Sequence, residues 1–339
     1  MSRGGSFFRS KERGAFLPLP NAPPPGGPLK KSLETFNADA ALGSQKTKNP
    51  RRPVEKIARN VIIKTFERLR APFFRRRSFV FPPHFLEFLA LFVAASTRCF
   101  PNLSLAKSLN KLADLEYGAA EIAVGDGPND LKPEWIAQDF NAVARLCLVN
   151  RQIAPVAFFL DVSPEDPRYF AKFELCLRLA KALRAVTLVV KSSPLGAPYN
   201  EEFERLRRVA QSAVNAGVAV AVLTERDAIS GSVDSLGSLC KGLPELSVAL
   251  DPSHFIFDRE TPANYDALIP RTSHVRLRDT TAKSFQVQIG QGVLEYNRLV
   301  AQLRKNDYNR ALCVDLAPLP NLSPESELRK MRLLMESIL

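Results

Sequence analysis

The chain has 339 residues, 45% of them hydrophobic, so it can bury a large core as one big domain or two ordinary ones. Its net charge of +12 is unevenly placed: residues 1–80 hold 18 Lys+Arg against 5 Asp+Glu, and the remainder holds 29 against 30. The basic character therefore belongs to a tail, and the near-neutral remainder gives no reason to expect a polyanion or nucleic-acid partner for the folded part.

In chain order, residues 1–53 are rich in Pro, Gly, Ser and Lys/Arg, as in Leu19-Pro20-Asn21-Ala22-Pro23-Pro24-Pro25. They cannot bury enough surface to offset the entropy of ordering, and residues 1–80 read as a largely disordered basic tail. Within it, Ile57, Val61, Ile62, Phe66 and Leu69 share one helical face among Lys56, Arg59, Lys64, Arg68 and Arg70, which predicts a short helix over 55–71 docked on the domain. A membrane-surface or nucleic-acid-binding helix, an organelle transit peptide, or a start site placed too far upstream are the alternatives.

The run Phe85 to Ala95 contains Glu87 and is too short to cross a bilayer, which takes about 20 residues, so no membrane span is expected. Arg75, Arg76 and Arg77 before it and Ala94-Ala95-Ser96 after it would suit a signal segment, but the repeat that follows claims it as a strand. Strands are predicted at Leu89–Ala95, Ala119–Val124, Ala154–Leu160, Ala185–Lys191, Val218–Leu223, Leu246–Asp251, Ser273–Arg278 and Ala311–Leu316. Helical patterns lie between them, including Leu105–Tyr117, Lys132–Asn150, Asp166–Leu183, Glu201–Ala216 and Leu294–Lys305, with Glu325–Leu339 last. The sixth crossover, around Ala263–Leu268, is short and weak. Eight strand–helix units over 85–339 predict an α/β fold of the (β/α)8 TIM-barrel type. A doubly wound open sheet is the alternative, disfavoured because no Gly-x-Gly-x-x-Gly follows the first strand.

Strand alternation then says which residues face the barrel mouth. Ser247, Ala249 and Asp251 share one face of the sixth strand, and His274, Arg276 and Arg278 one face of the seventh. Glu121, Lys191, Glu225 and Asp315 are the inward residues at the ends of the second, fourth, fifth and eighth strands. Four acids and three bases aimed at one mouth mark a site, or else a pore plugged by salt bridges, because buried charge is costly unless paired. Five cysteines, odd in number and without a Cys-x-x-Cys pair, read as reduced, mostly buried thiols of a cytoplasmic protein.

The run Asp251-Pro252-Ser253-His254, then His274-Val275-Arg276-Leu277-Arg278-Asp279, Gly290-Gln291-Gly292 and the Leu312–Asp315 strand resemble the second half of xylose-isomerase-like barrels, the sugar phosphate isomerase/epimerase family. Ser96-Thr97 with Cys99-Phe100-Pro101, and Gly118-Ala119-Ala120-Glu121, fit its first half more loosely. The resemblance implies aldose–ketose or epimer interconversion through an enediolate. It also implies a divalent metal, Mn, Mg, Co or Zn, held by a strand-five Glu, the Asp of Asp-Pro-x-His, a strand-seven His and a strand-eight Glu. Carried over, Asp251 and His254 match, whereas the strand-five position is Leu223, the strand-seven position is Arg276, and strand eight offers Asp315. Leucine and guanidinium have no lone pair for a metal, so the expectation is that no cofactor binds, with Asp251 and Asp315 as ligands if one does. Arg276 is expected to take the metal's place by pairing with Asp251 and Asp315.

Asp315, His254 and Glu225 are then the candidate catalytic groups, with His254 a general base or donor, or a histidine that merely satisfies its turn. Glu121, Lys191, Arg276, Arg278, Gly290 and Gly292 are the candidate substrate contacts, the glycines through backbone N–H groups or else as a plain turn. His274 reads as a core histidine. The expected partner is a small-molecule sugar or sugar phosphate, with a homo-oligomer open. A barrel that binds a sugar-like or anionic ligand or a protein without turnover is the rival reading, and the endonuclease branch, with a multinuclear zinc site, is disfavoured by a total of three histidines.

Overall fold

The computed structural model describes residues 91–339; the basic stretch 1–80 and the helix expected at 55–71 lie outside the described residues. Eight parallel strands pair in chain order and close into a barrel: β1 (Phe92–Ser96), β2 (Ala119–Gly125), β3 (Ala154–Asp161), β4 (Thr187–Val190), β5 (Ala219–Leu223), β6 (Leu246–Leu250), β7 (Thr272–Leu277) and β8 (Ala311–Val314). Closure is made by β1 against β8, with Phe92 opposite Ala311 and Ala95 opposite Val314. The fold is thus the expected TIM barrel and not the open sheet.

The surrounding helices are α1 (Leu105–Asp114), α2 (Pro133–Gln138), α3 (Phe140–Cys147), α4 (Tyr169–Ala182), α5 (Tyr199–Ala216), α6 (Val233–Gly242), α7 (Tyr296–Lys305) and α8 (Pro324–Ile338). Each carries an apolar stripe at helical spacing; in α1, Leu105, Leu109 and Leu112 are buried. Helix α5 stops where Gly217 adopts φ 73°, a left-handed position that glycine takes without a Cβ penalty. Two expectations differ from what forms. The helix read over 132–150 is two, because Asp139 leaves the helical region (φ −146°) and its carboxylate accepts from Ala142 N, so it caps α3. The weak sixth crossover is a 3-10 turn, Asp266–Arg271, interrupted by Pro270, which has no N–H to continue a helix. Strands β4, β6, β7 and β8 also end one or two residues early, leaving Lys191, Asp251, Arg278 and Asp315 just beyond the sheet.

Three packed regions result, the smallest made by Ala94, Ala119 and Ala311. Outward strand residues such as Ile122, Phe158, Leu188, Val222, Leu250 and Leu312 meet the helices in the main core. The lumen holds Ala123, Phe159, Val189, Ala221, Leu223 and Ala249 from β2 to β6. Three of those six are alanines where barrels usually place bulky branched residues. The space they leave is what allows the long side chains of β7 to lie across the lumen.

Candidate active site

The deepest charged group is Glu121 on β2, fully buried. Arg276 on β7 reaches across the lumen to it, with Nη2 2.6 Å from Oε1 and Nε 3.3 Å from Oε2, while its guanidinium lies 4.0 Å over the Phe159 ring. His274 Nε2 is 2.8 Å from Glu121 Oε2. Burial alone would push the Glu121 carboxyl up, but Arg276 and His274 outweigh it and hold it down at about 2. A carboxylate so committed is part of the lumen's packing and does not face a ligand.

One layer higher, Arg278 Nη2 bridges two acids, 2.9 Å from Asp251 Oδ2 and 2.8 Å from Asp315 Oδ2. Asp251 is fixed from the other side by its own turn: Pro252 starts the 3-10 turn Pro252–Phe255, and Ser253 N donates to Asp251 Oδ1 at 3.0 Å. Burial raises the Asp251 carboxyl, and Arg278 with His254 and Ser253 more than reverses that, leaving it below the usual range. The Phe285 ring covers Arg278 at 4.5 Å and tilts against His254 at 4.7 Å.

Beside this layer opens a cleft of about 290 Å3 lined by Ser163, Lys191, Ser192, Glu225, Arg226 and His254 among others. Lys191 Nζ stands 3.3 Å from Asp161 Oδ1 and 3.8 Å from Glu225 Oε1. Its backbone is anchored by Arg205, which donates to Lys191 O at 2.9 Å and pairs with the buried Glu202. Burial raises the Glu225 carboxyl above its ordinary value, and Lys191 offsets only part of this. His254 Nδ1 accepts the N–H of Arg226 at 3.2 Å. The neutral ring therefore carries its proton on Nε2, and burial lowers its pKa so that the neutral form dominates. Nε2–H is then the group left to donate, with Asp251 Oδ2 3.9 Å away, and of the two expected roles the general base is the one the tautomer opposes.

The family described as the xylose isomerase-like TIM barrel matches residues 109–334. The chain belongs to that family. Among solved structures it is similar to a xylose isomerase-like TIM-barrel protein from Mycobacterium smegmatis in complex with magnesium, at 14% identity and TM-score 0.59, covering 73% of this chain and 98% of that one. It is also similar to 3-keto-D-glucoside 4-epimerase from E. coli (13%, TM-score 0.57, 74% and 99%) and to the IolI protein with a bound zinc atom (14%, TM-score 0.57, 73% and 98%). No curated protein matches the sequence.

The family's metal does not fit the corresponding residues here. Leu223 packs in the lumen's apolar layer, Arg276 is locked on Glu121, and Asp251 and Asp315 both point at the Arg278 guanidinium. Among the described residues, one group of acids, histidine and cysteine has ligand atoms within 4.8 Å of one another: Glu121, His274 and Cys313. It is a poor seat, because both Glu121 oxygens are already engaged, Arg276 would repel a cation, and burial drives the Cys313 thiol far above its ordinary pKa.

Several sequence expectations need correction. Asp251 pairs with Arg278, not Arg276; Arg276 keeps a contact with Asp315, at 3.7 Å, but its main partner is Glu121, because its side chain crosses the lumen instead of following the sheet. Glu121 is fully buried, with its carboxylate committed to Arg276 and His274. The N–H groups of Gly290 and Gly292 are both donated to Asp279 Oδ2, at 2.7 and 3.0 Å, so they close a loop and present nothing to a ligand. A Cβ on Gly292 would fall 1.8 Å from Asp279 Oδ1, which is why glycine stands there. Lys191, Glu225 and His254 line one cleft, whereas Arg278 and Asp315 are paired with each other and are not among its lining residues. The missed residues are Asp161 and Arg98: Arg98 pairs with Asp161 and Asp130 and faces Phe159 at 4.9 Å. Alternation through Ala157 and Phe159 would have reached Asp161 had the third strand been extended by one residue.

Proposed function

We propose that the chain is an isomerase or epimerase of sugars or sugar phosphates that moves a proton with Glu225 in the cleft beside Lys191 and His254. The observation that carries the reading is a carboxyl with a raised pKa lining an open cleft, next to two donors that suit a developing oxyanion. Glu225 takes the proton from the carbon next to the substrate carbonyl. The C–H electron pair becomes the C=C of the enediolate, and negative charge moves onto the former carbonyl oxygen. Lys191 Nζ and His254 Nε2–H stabilise that oxygen. Return of the proton from Glu225 to the neighbouring carbon, with the hydroxyl proton of that enediolate passing to the former carbonyl oxygen, interchanges aldose and ketose. Delivery of a proton from water to the other face of the original carbon, with Glu225 giving its proton up to solvent, gives the epimer. Asp315 is charge-paired with Arg278 and does not act as the base. The substrate class is supported by family membership and by the epimerases among the structural neighbours.

The test is wash-in of deuterium from D2O into a panel of ketoses, ketose phosphates and keto-sugars, followed by NMR. Glu225→Gln should lower exchange by at least about a hundredfold with an unchanged circular dichroism spectrum. Exchange that survives this substitution would sink the role of Glu225. A second reading, binding without turnover, is favoured by the loss of the family's ligand set at Leu223 and Arg276. Saturable sugar binding with no exchange in any substrate would establish it instead.

A further inference from the structure

One guanidinium, that of Arg278, lies between the carboxylates of Asp251 and Asp315. We infer that the Arg278 guanidinium is the cation of this site, tethered to the chain, and that the mouth takes a divalent metal only when Arg278 is removed. The inference concerns binding and stability, and it stands whether or not Glu225 moves a proton.

Asp251 and Asp315 are two carboxylates that would repel each other. Asp251 is 1% exposed and Asp315 13%, and the Oδ2 atoms of both lie within hydrogen-bond distance of the same nitrogen, Arg278 Nη2. Anions placed so closely in a region of low dielectric need a positive charge between them. A divalent ion or a guanidinium meets that need, and the two exclude each other because they want the same oxygens. The rest of the site favours the guanidinium. Phe285 lies over it at 4.5 Å, a face that attracts a cation without giving a metal a lone pair. Asp251 Oδ1 is turned away onto Ser253, so only Oδ2 is offered to the centre. Leu223 and Arg276, at the two remaining positions, give no ligand atom. Arg278 therefore sets the charge of the mouth permanently, whereas a bound metal would make it depend on supply.

The probe is Mn2+ added to the purified full chain, followed by electron paramagnetic resonance and by the thermal midpoint. For the native chain we expect no stoichiometric binding and no shift in midpoint as Mn2+ is raised to millimolar concentration. Arg278→Ala should lower the midpoint and gain one equivalent of Mn2+, with the midpoint then rising as Mn2+ increases. Both gains should vanish in Arg278→Ala/Asp251→Asn. Arg278→Lys keeps a point charge and should bind no Mn2+. Stoichiometric Mn2+ in the native chain, lost on Asp251→Asn, overturns the inference and needs no Arg278 variant. So does an Arg278→Ala protein that folds and still binds no Mn2+, or one that keeps the native midpoint. If Arg278→Ala does not fold, Arg278→Gln carries the same two outcomes.

Discussion

Replacing Arg276 with methionine removes one guanidinium from the middle of the barrel and keeps a side chain of similar reach. Glu121, fully buried, then loses the partner at 2.6 and 3.3 Å and keeps only His274 at 2.8 Å; the 4.0 Å stack on Phe159 goes as well. Taking one partner from a buried ion pair costs roughly 3–5 kcal/mol. The carboxyl itself gives a similar figure: a displacement from 4.5 to about 2 corresponds to about 3 kcal/mol of preference for the ionised form in the folded state. The sign of the pH dependence makes the test sharp. In the native chain the folded pKa of Glu121 is depressed, so its contribution is present above about 4.5 and is lost as pH falls toward 2. In Arg276→Met the largest charge opposing burial is gone and His274 alone remains, so the folded pKa rises and the variant's deficit closes from the acid side. Urea unfolding at pH 7, 5.5 and 4.5 should show the variant less stable by about 3 kcal/mol at neutral pH and the gap narrowing on acidification. A gap below about 0.5 kcal/mol, or one that widens as pH falls, would refute the pairing as the source of stability.

Glycines at two sites should behave oppositely. Gly292→Ala drives a Cβ into Asp279 Oδ1 and is expected to cost about 2 kcal/mol in chemical denaturation, whereas Gly237→Ala, in α6 with nothing within 4 Å of the added carbon, should gain about 0.5–1 kcal/mol. Equal effects would show that the loop after β7 tolerates the shift. The thiols give a third check: all five cysteines are unpaired and buried, and burial pushes Cys99 and Cys147 up to about 12 and raises the other three. The folded chain should therefore leave a disulfide reagent nearly unreacted at pH 8 and titrate all five once unfolded in guanidinium chloride; a fast-reacting thiol in the native chain would contradict this.

The amino-acid sequence alone determined the barrel. Period-2 runs such as Leu246–Leu250 alternating with period-3.6 runs such as Tyr199–Ala216 are local signals, each set by which faces must leave water, and eight of them in order admit one closed parallel arrangement. Alternation also placed Lys191, Glu225, Asp251, Arg278 and Asp315 at one end, because a strand's pleat fixes its side chains' direction without reference to any other strand. Pairing was decided only by the tertiary structure. Which acid meets which guanidinium depends on how far a side chain reaches across the lumen, and that depends on the space left by Ala123, Ala221 and Ala249 from three different strands. Hence Arg276 went to Glu121 and Arg278 took the place between Asp251 and Asp315. The tautomer of His254 and the capture of Gly290 and Gly292 by Asp279 were likewise invisible in the sequence, since each rests on a hydrogen bond spanning 11 or more residues whose geometry exists only once the loops have closed over the strands.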